Sequence, residues 1–145
     1  MTRKEINIVN KKVKFEYEFI RTEIAGVVLM GSEVKSIRDG KISLVESYCS
    51  FNNGELYLKN ANITEFLSDY THKSSQDRKL LLKKVELNRL KKELIKGLTI
   101  VPYRVFVNEK GLIKVEIVLA RGKNHQDKRD TIKKRDIERE IKSVL

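Results

Sequence analysis

The side chains with most chemistry to offer are cations, and they are concentrated. Residues 121–145 read RGKNHQDKRDTIKKRDIEREIKSVL, with nine basic and five acidic residues, no aromatic residue and a net charge of +4. The whole chain carries 31 Lys+Arg against 20 Asp+Glu, a formal charge of +11 on 145 residues, so the first 120 residues keep +7. A field of that sign and size favours nucleic acid over neutral small molecules. An anionic membrane is the weaker option. No run of eighteen apolar residues exists, and the start MTRKEINIVNKK lacks a signal-peptide core.

Groups for covalent chemistry are sparse. The carboxylates are scattered and usually stand beside Lys or Arg, as on a solvated surface, and no G-x-S-x-G, H-E-x-x-H, P-loop or G-x-G-x-x-G occurs. His72 and His125 have no Cys or His at ligand spacing, which argues against zinc. One enzymatic alternative stays open: a metal-dependent nuclease built from Glu33, Asp39, Glu46 and Asp69, because magnesium carboxylates need no fixed spacing. The chain is otherwise read as non-enzymatic, with no metal or cofactor. Cys49 stands alone between Tyr48 and Ser50 and reads as a small buried hydrophobe. The lone cysteine and absent leader point to the cytoplasm.

The elements that position these cations read as mainly β. Phe15, Tyr17 and Phe19 alternate with Glu16 and Glu18 as in a half-exposed strand, and residues 25–31 form a short apolar run bounded by glycines. Ser32 is an N-cap type for a two-turn helix ending at Gly40, with Val34, Ile37 and Val28 inward and Lys35, Arg38 and Lys41 outward. Asn52-Asn53-Gly54 predicts a hairpin between residues 48–51 and 55–58. Residues 68–77 read as a loop. The spacing then predicts the longest helix over 76–96, with Leu80, Leu81, Val85, Leu87, Leu90 and Leu94 on its apolar side and Gly97 as its stop. A last hairpin pairs residues 98–107 with 112–120, and Pro102 requires an edge or a bulge. The fold class is thus α+β, mainly β: a small antiparallel OB-like barrel of about six strands with flanking helices and a basic tail. Residues 1–121 form the barrel unit and 122–145 the tail, disordered when free because it has too little apolar surface to offset its ordering.

Four blocks are more specific than the composition. Residues 31–41, GSEVKSIRDGK, resemble the G-[ST]-E-V-K-S-[LI]-R-x-G-[KR] segment of the SmpB family, the SsrA (tmRNA)-binding proteins. Residues 78–82 match that family's R-K-L-L-L helix start. Ala120-Arg121-Gly122-Lys123 followed by Asp127-Lys128-Arg129 looks like its A-[RK]-G-K…D-K-R junction, and Ile132-Lys133-Lys134-Arg135-Asp136 continues as I-K-[KE]-R-[DE]. The blocks fall in family order and spacing over nearly the whole chain.

The resemblance implies an RNA-binding accessory protein. Such a protein binds the tRNA-like domain of tmRNA and delivers it, with elongation factor Tu, to stalled ribosomes for trans-translation. Its tail enters the decoding centre and the empty mRNA channel. The RNA-facing residues implied on the body are Lys11, Lys14, Gly31, Glu33, Lys35, Arg38, Lys41, Arg78 and Lys79. Glu33 could instead cap its helix or fix an arginine. The ribosome-facing residues implied in the tail are Gly122, Lys123, Asp127, Lys128, Arg129, Lys133, Lys134, Arg135 and Arg139. A monomer is expected. A generic OB-fold RNA-binding or ribosome-associated protein without tmRNA specificity remains the alternative.

If the tail turns helical, Lys128, Arg135, Arg139 and Lys142 fall within a stripe about 60° wide, and Ile137, Ile141, Val144 and Leu145 within another about 100° wide. Some positions depart from the family pattern. Ile24 stands where an acidic residue usually precedes Ala-Gly, with Glu23 one place earlier. The stretch before Arg78 lacks the usual proline, and Lys83 replaces an Asn or His.

Overall fold

The computed structural model describes residues 6–65, 72–95 and 97–122. In chain order the elements are β1 (Asn7–Val9), α1 (Lys11–Glu16), β2 (Tyr17–Val27), α2 (Gly31–Arg38), β3 (Ile42–Ser43), β4 (Tyr48–Asn52), β5 (Glu55–Lys59), β6 (Asn62–Ile63), β7 (Arg78–Leu81), α3 (Lys84–Ile95), β8 (Thr99–Val107) and β9 (Ile113–Gly122). Six antiparallel strands close a ring in the order β8-β4-β5-β7-β2-β9, with β9 returning to β8. β1 lies beside the second half of β8, and β3 pairs with β6 apart from the ring. Closure leaves few backbone edges unpaired.

Alternate side chains fill the ring. Leu56 and Leu58 of β5, Ile100 and Val105 of β8, and Val115, Ile117 and Leu119 of β9 belong to the main core. Val118 and Ala120 face the other way, onto a second cluster with Val13 of α1 and Val101, packed by Tyr17, Phe19 and Tyr103. A strand covered on both faces reads as an unbroken apolar run, which is what Ile117–Ala120 shows.

The turn chemistry follows the sequence closely. Asn53 (φ 52°) and Gly54 (φ 80°) make the two-residue turn between β4 and β5, and positive φ at both positions suits Asn-Gly. Gly97 (φ 83°) ends α3, its N–H donating to the Leu94 carbonyl at 3.1 Å. Pro102 sits at a register break between Pro102 and Arg104, in a strand paired on both sides, so the bulge absorbs the missing N–H.

Other expectations need correction. The long helix starts at Lys84, not Gln76, and its first turn is closed by Glu86 Oε1 accepting the Lys83 N–H at 2.9 Å. Arg78-Lys79-Leu80-Leu81 is a strand bridging β5 and β2, and without it the ring would open. Its burial alternates: Arg78 and Leu80 point inward, whereas Leu81, expected in the core, is half exposed and lies over Gly26. Val85 is likewise exposed, leaving Leu87 and Leu90 as the buried side of α3. Phe15 belongs to α1 and is exposed rather than strand-bound, and the run from Ala25 is the end of one long β2, with Val28 outward. α2 begins at Gly31 behind Met30, so Ser32 lies within its first turn rather than capping it. The barrel's last strand ends at Gly122. The expected tail beyond it, and residues 68–71 of the expected loop, lie outside the described residues.

Candidate RNA-binding face

α2 covers one mouth of the barrel. Ile37 is buried against a lining that includes Val27, Ile63, Val105 and Val115. The helix is otherwise held by directional bonds. The Ser36 hydroxyl donates to the Thr64 carbonyl at 2.7 Å, and Arg38 Nη2 donates to the Gly111 carbonyl at 3.1 Å, reaching the β8–β9 turn. Gly40 (φ 74°) reverses the chain so that the Lys41 N–H returns to the Ser36 carbonyl at 2.8 Å. With its inner side fixed this way, α2 leaves Lys35 and Arg38 exposed, and exposed Lys41 follows directly. Exposed cations on a rigid support suit phosphate contacts.

Beneath this face lies a buried ion pair. Arg78 Nε donates to Glu33 Oε2 at 2.6 Å, and both side chains are 1% exposed. Glu33 Oε1 also accepts the Met30 N–H at 2.8 Å, satisfying one unpaired donor of the helix start. Both alternatives for Glu33, helix cap and arginine partner, are thus realised together. Arg78 Nη1 donates to the Ala61 carbonyl at 2.7 Å, and Nη2 donates to the carbonyls of Lys73 and Ser74 at 3.1 and 3.0 Å. Removing two charges from water is costly, and this dense set of partners is what makes the burial tolerable.

His72 closes the assembly. It is 2% exposed, with Nε2 at 2.9 Å from the Ile63 carbonyl and Nδ1 at 2.8 Å from Ser32 Oγ. A carbonyl can only accept, so Nε2 donates to Ile63, while Nδ1 shares a second hydrogen bond with the Ser32 hydroxyl. That hydroxyl also accepts the His72 backbone N–H at 3.2 Å. Ser32, Ser36 and His72 are not among the sequence-predicted site residues. Single small polar residues carry no periodicity, and a lone histidine in a polar stretch signals nothing by spacing.

The remaining predicted body residues are dispersed. Gly31 is exposed at the start of α2, and a Cβ there would meet nothing of this chain within 4 Å, so internal packing does not demand glycine. Lys79 faces outward from β7, 3.7 Å from Glu55. Lys11 and Lys14 are exposed on α1, which rests on the second cluster rather than on the mouth under α2. The two sets of cations therefore rise from separate supports. Arg78 and Glu33 are corrected from a surface role: burial withdraws both from solvent, and each is engaged by protein partners. Ile24 is outward on β2, while Glu23 points to the other face beside Glu86, so the carboxylate one place earlier does not replace the missing one. Glu116, opposite Ile24 in the ladder, is held by Arg104 at 3.0 Å.

The nuclease alternative gains no support here. Glu33 is committed to Arg78, Glu46 lies 3.3 Å from Lys12, and Asp69 falls outside the described residues. Among the described residues no group of three His, Cys, Asp or Glu is placed to hold a metal. Burial raises the Cys49 thiol pKa well above its usual value, as suits a core residue rather than a nucleophile.

A closed antiparallel barrel whose mouth is covered by a short cationic helix defines a small β-barrel protein of the nucleic-acid-binding kind. Residues 7–145 match the family model described as SmpB protein, and the chain belongs to the SmpB family. It is 50% identical to an SsrA-binding protein of Flavobacterium psychrophilum, over 97% of this chain and 96% of that one. It is 51% identical to an SsrA-binding protein of Phocaeicola vulgatus, over 94% and 93%. A solved structure described as "tmRNA-SmpB: a journey to the center of the bacterial ribosome" holds a chain 41% identical to it, with a TM-score of 0.70, covering 86% of this chain and 91% of that one.

Proposed function

We propose that this protein binds the tRNA-like domain of tmRNA and brings it to stalled ribosomes for trans-translation. The observation that carries this reading is the likeness, at 41% identity and a TM-score of 0.70, to a chain of the structure whose description names tmRNA-SmpB and the bacterial ribosome. Capture is electrostatic. Lysine and arginine side chains displace counterions from the RNA, so affinity should fall with salt by ~0.7–0.9 log unit per phosphate contact for each log unit of salt. Specificity comes from shape, since a folded RNA cannot be read through its deep groove. Exposed Lys35 and Arg38 on the fixed α2, with exposed Lys41 just after it, support that helix as the RNA-facing element.

The tail has a separate task in this reading: Lys123, Lys128, Arg129 and the cations after them engage the decoding centre and the vacant mRNA channel. The protein acts in the cytoplasm as a monomer, together with elongation factor Tu. It contributes binding, not catalysis. The test is binding of the purified chain to the tRNA-like domain of tmRNA against excess elongator tRNA. Binding that survives the competitor is expected, and binding that the competitor removes would reduce the protein to a general RNA-binding barrel. Lys128→Ala with Arg129→Ala should spare that binding and abolish peptide tagging.

A further inference from the structure

We propose that Arg78 and His72 are positioning residues for RNA binding, which set the pose of α2 and its cations without touching the RNA. This rests on the RNA-binding reading above. A guanidinium has five N–H groups. Four of those on Arg78 are spent on Glu33, Ala61, Lys73 and Ser74, and the residue is 2% exposed. No phosphate can reach such a group without dismantling its surroundings.

What Arg78 does instead is join segments distant in sequence. Its acceptors lie at the first turn of α2, at the residue before β6 and in the 73–74 turn. His72 ties the same parts by a second route, from Ser32 on α2 to Ile63 on β6. Ser36 to Thr64 is a third tie between α2 and the chain leaving β6. The helix start is thus fixed by side chains that converge from behind, while Lys35 and Lys41 lie exposed in front. Arginine is required at position 78 because its planar fork donates in three directions at once, whereas a lysine offers one compact ammonium. Loss of the fork leaves the Glu33 carboxylate underpaired and loosens its hold on the Met30 N–H.

Salt dependence separates a positioning residue from one that binds phosphate directly. Deleting a phosphate-binding cation removes counterion release and flattens the dependence of affinity on salt. Misplacing a complete set of cations weakens binding with the dependence largely kept. The full chain is titrated with the tRNA-like domain of tmRNA over a salt series, as wild type, Arg78→Lys and Lys41→Ala. Arg78→Lys should weaken binding by about tenfold, the size of one charged hydrogen bond, with a slope parallel to wild type. Lys41→Ala should lower the slope by ~0.7–0.9. Arg78→Gln, which removes the cation, should also keep the wild-type slope, and a slope lowered by it as much as by Lys41→Ala would overturn the proposal.

If Arg78→Lys does not fold, Ser32→Ala and His72→Gln carry the same test. A several-fold weaker affinity at unchanged slope is expected, and unchanged affinity or a lowered slope overturns it. Without RNA, hydrogen exchange at the Met30 N–H should quicken in these variants, and unchanged protection would count against the proposal. Failure of the wild type to bind this RNA would instead remove the functional reading and the proposal together.

Discussion

Two helices, α2 and α3, are held on the barrel in opposite ways. α2 is attached by directional polar bonds, from Glu33, Ser32, Ser36 and Arg38, around one inserted side chain, Ile37. α3 instead sinks Leu87 and Leu90 into the main core. The arginines beneath them show the same contrast. Arg78 under α2 has all three nitrogens hydrogen-bonded, whereas Arg21 beside α3 has Nε and one Nη buried without a hydrogen bond and stands 3.5 Å from Glu23. Apolar burial is strong but indifferent to small rotations, while hydrogen bonds fix angle and register. The anchor of α2 is built for a pose and that of α3 for stability.

The sharpest way to break that division is to damage each anchor and read two quantities, unfolding and RNA affinity. Arg78→Met strips a buried carboxylate of its partner and should cost about 3–5 kcal/mol, with RNA affinity lost alongside stability. Leu90→Ala empties part of the core under α3 and should cost about 2–5 kcal/mol in chemical unfolding, while the folded fraction keeps its affinity. If the folded Leu90→Ala protein binds RNA as poorly as the Arg78 variant, the two anchors are not separate in function. Ser36→Ala removes one bond, to the Thr64 carbonyl, and should cost about 0.5–1.5 kcal/mol with a small, measurable loss of affinity.

The same contrast decides what can be read from the residues alone. The β4–β5 hairpin, the stop at Gly97 and the bulge at Pro102 are legible because each rests on local backbone chemistry: Asn-Gly at positive φ, a left-handed glycine, a missing N–H. Residues 76–83 mislead because Leu80, Leu81 and Leu82 run straight into a true helix, and a contiguous apolar stretch shows no period of its own. Only the ring, which needs a strand between β5 and β2, decides the matter. Lys35, Arg38 and Lys41 lie outward, as the helical pattern predicts. Arg78 does not, because a buried ion pair joins residues 45 positions apart and charge alone signals a surface. The ribosome-facing tail residues fall outside the described part of the chain, apart from Gly122.

The smallest expected effect falls on Glu23, beside Arg21 and α3. Its side chain is largely buried, and that burial raises its pKa, with Glu86 beside it adding to the rise and Arg21 and Arg89 opposing it. The folded protein therefore holds this proton more firmly than the unfolded chain does. The stabilisation is complete below the unfolded carboxylate value and is lost as pH rises through the raised folded one. At neutral pH the ionised group is a burden, so Glu23→Gln should stabilise the protein slightly, by less than about 1 kcal/mol given the partly solvated arginines around it. Thermal unfolding of both proteins across acid to neutral pH checks this. The gain should shrink as pH falls, and a variant less stable than wild type at neutral pH would mean that Arg21 and Arg89 outweigh burial. Glu33→Gln, under α2, should go the other way and destabilise at neutral pH, because there the carboxylate is the partner that a buried arginine requires.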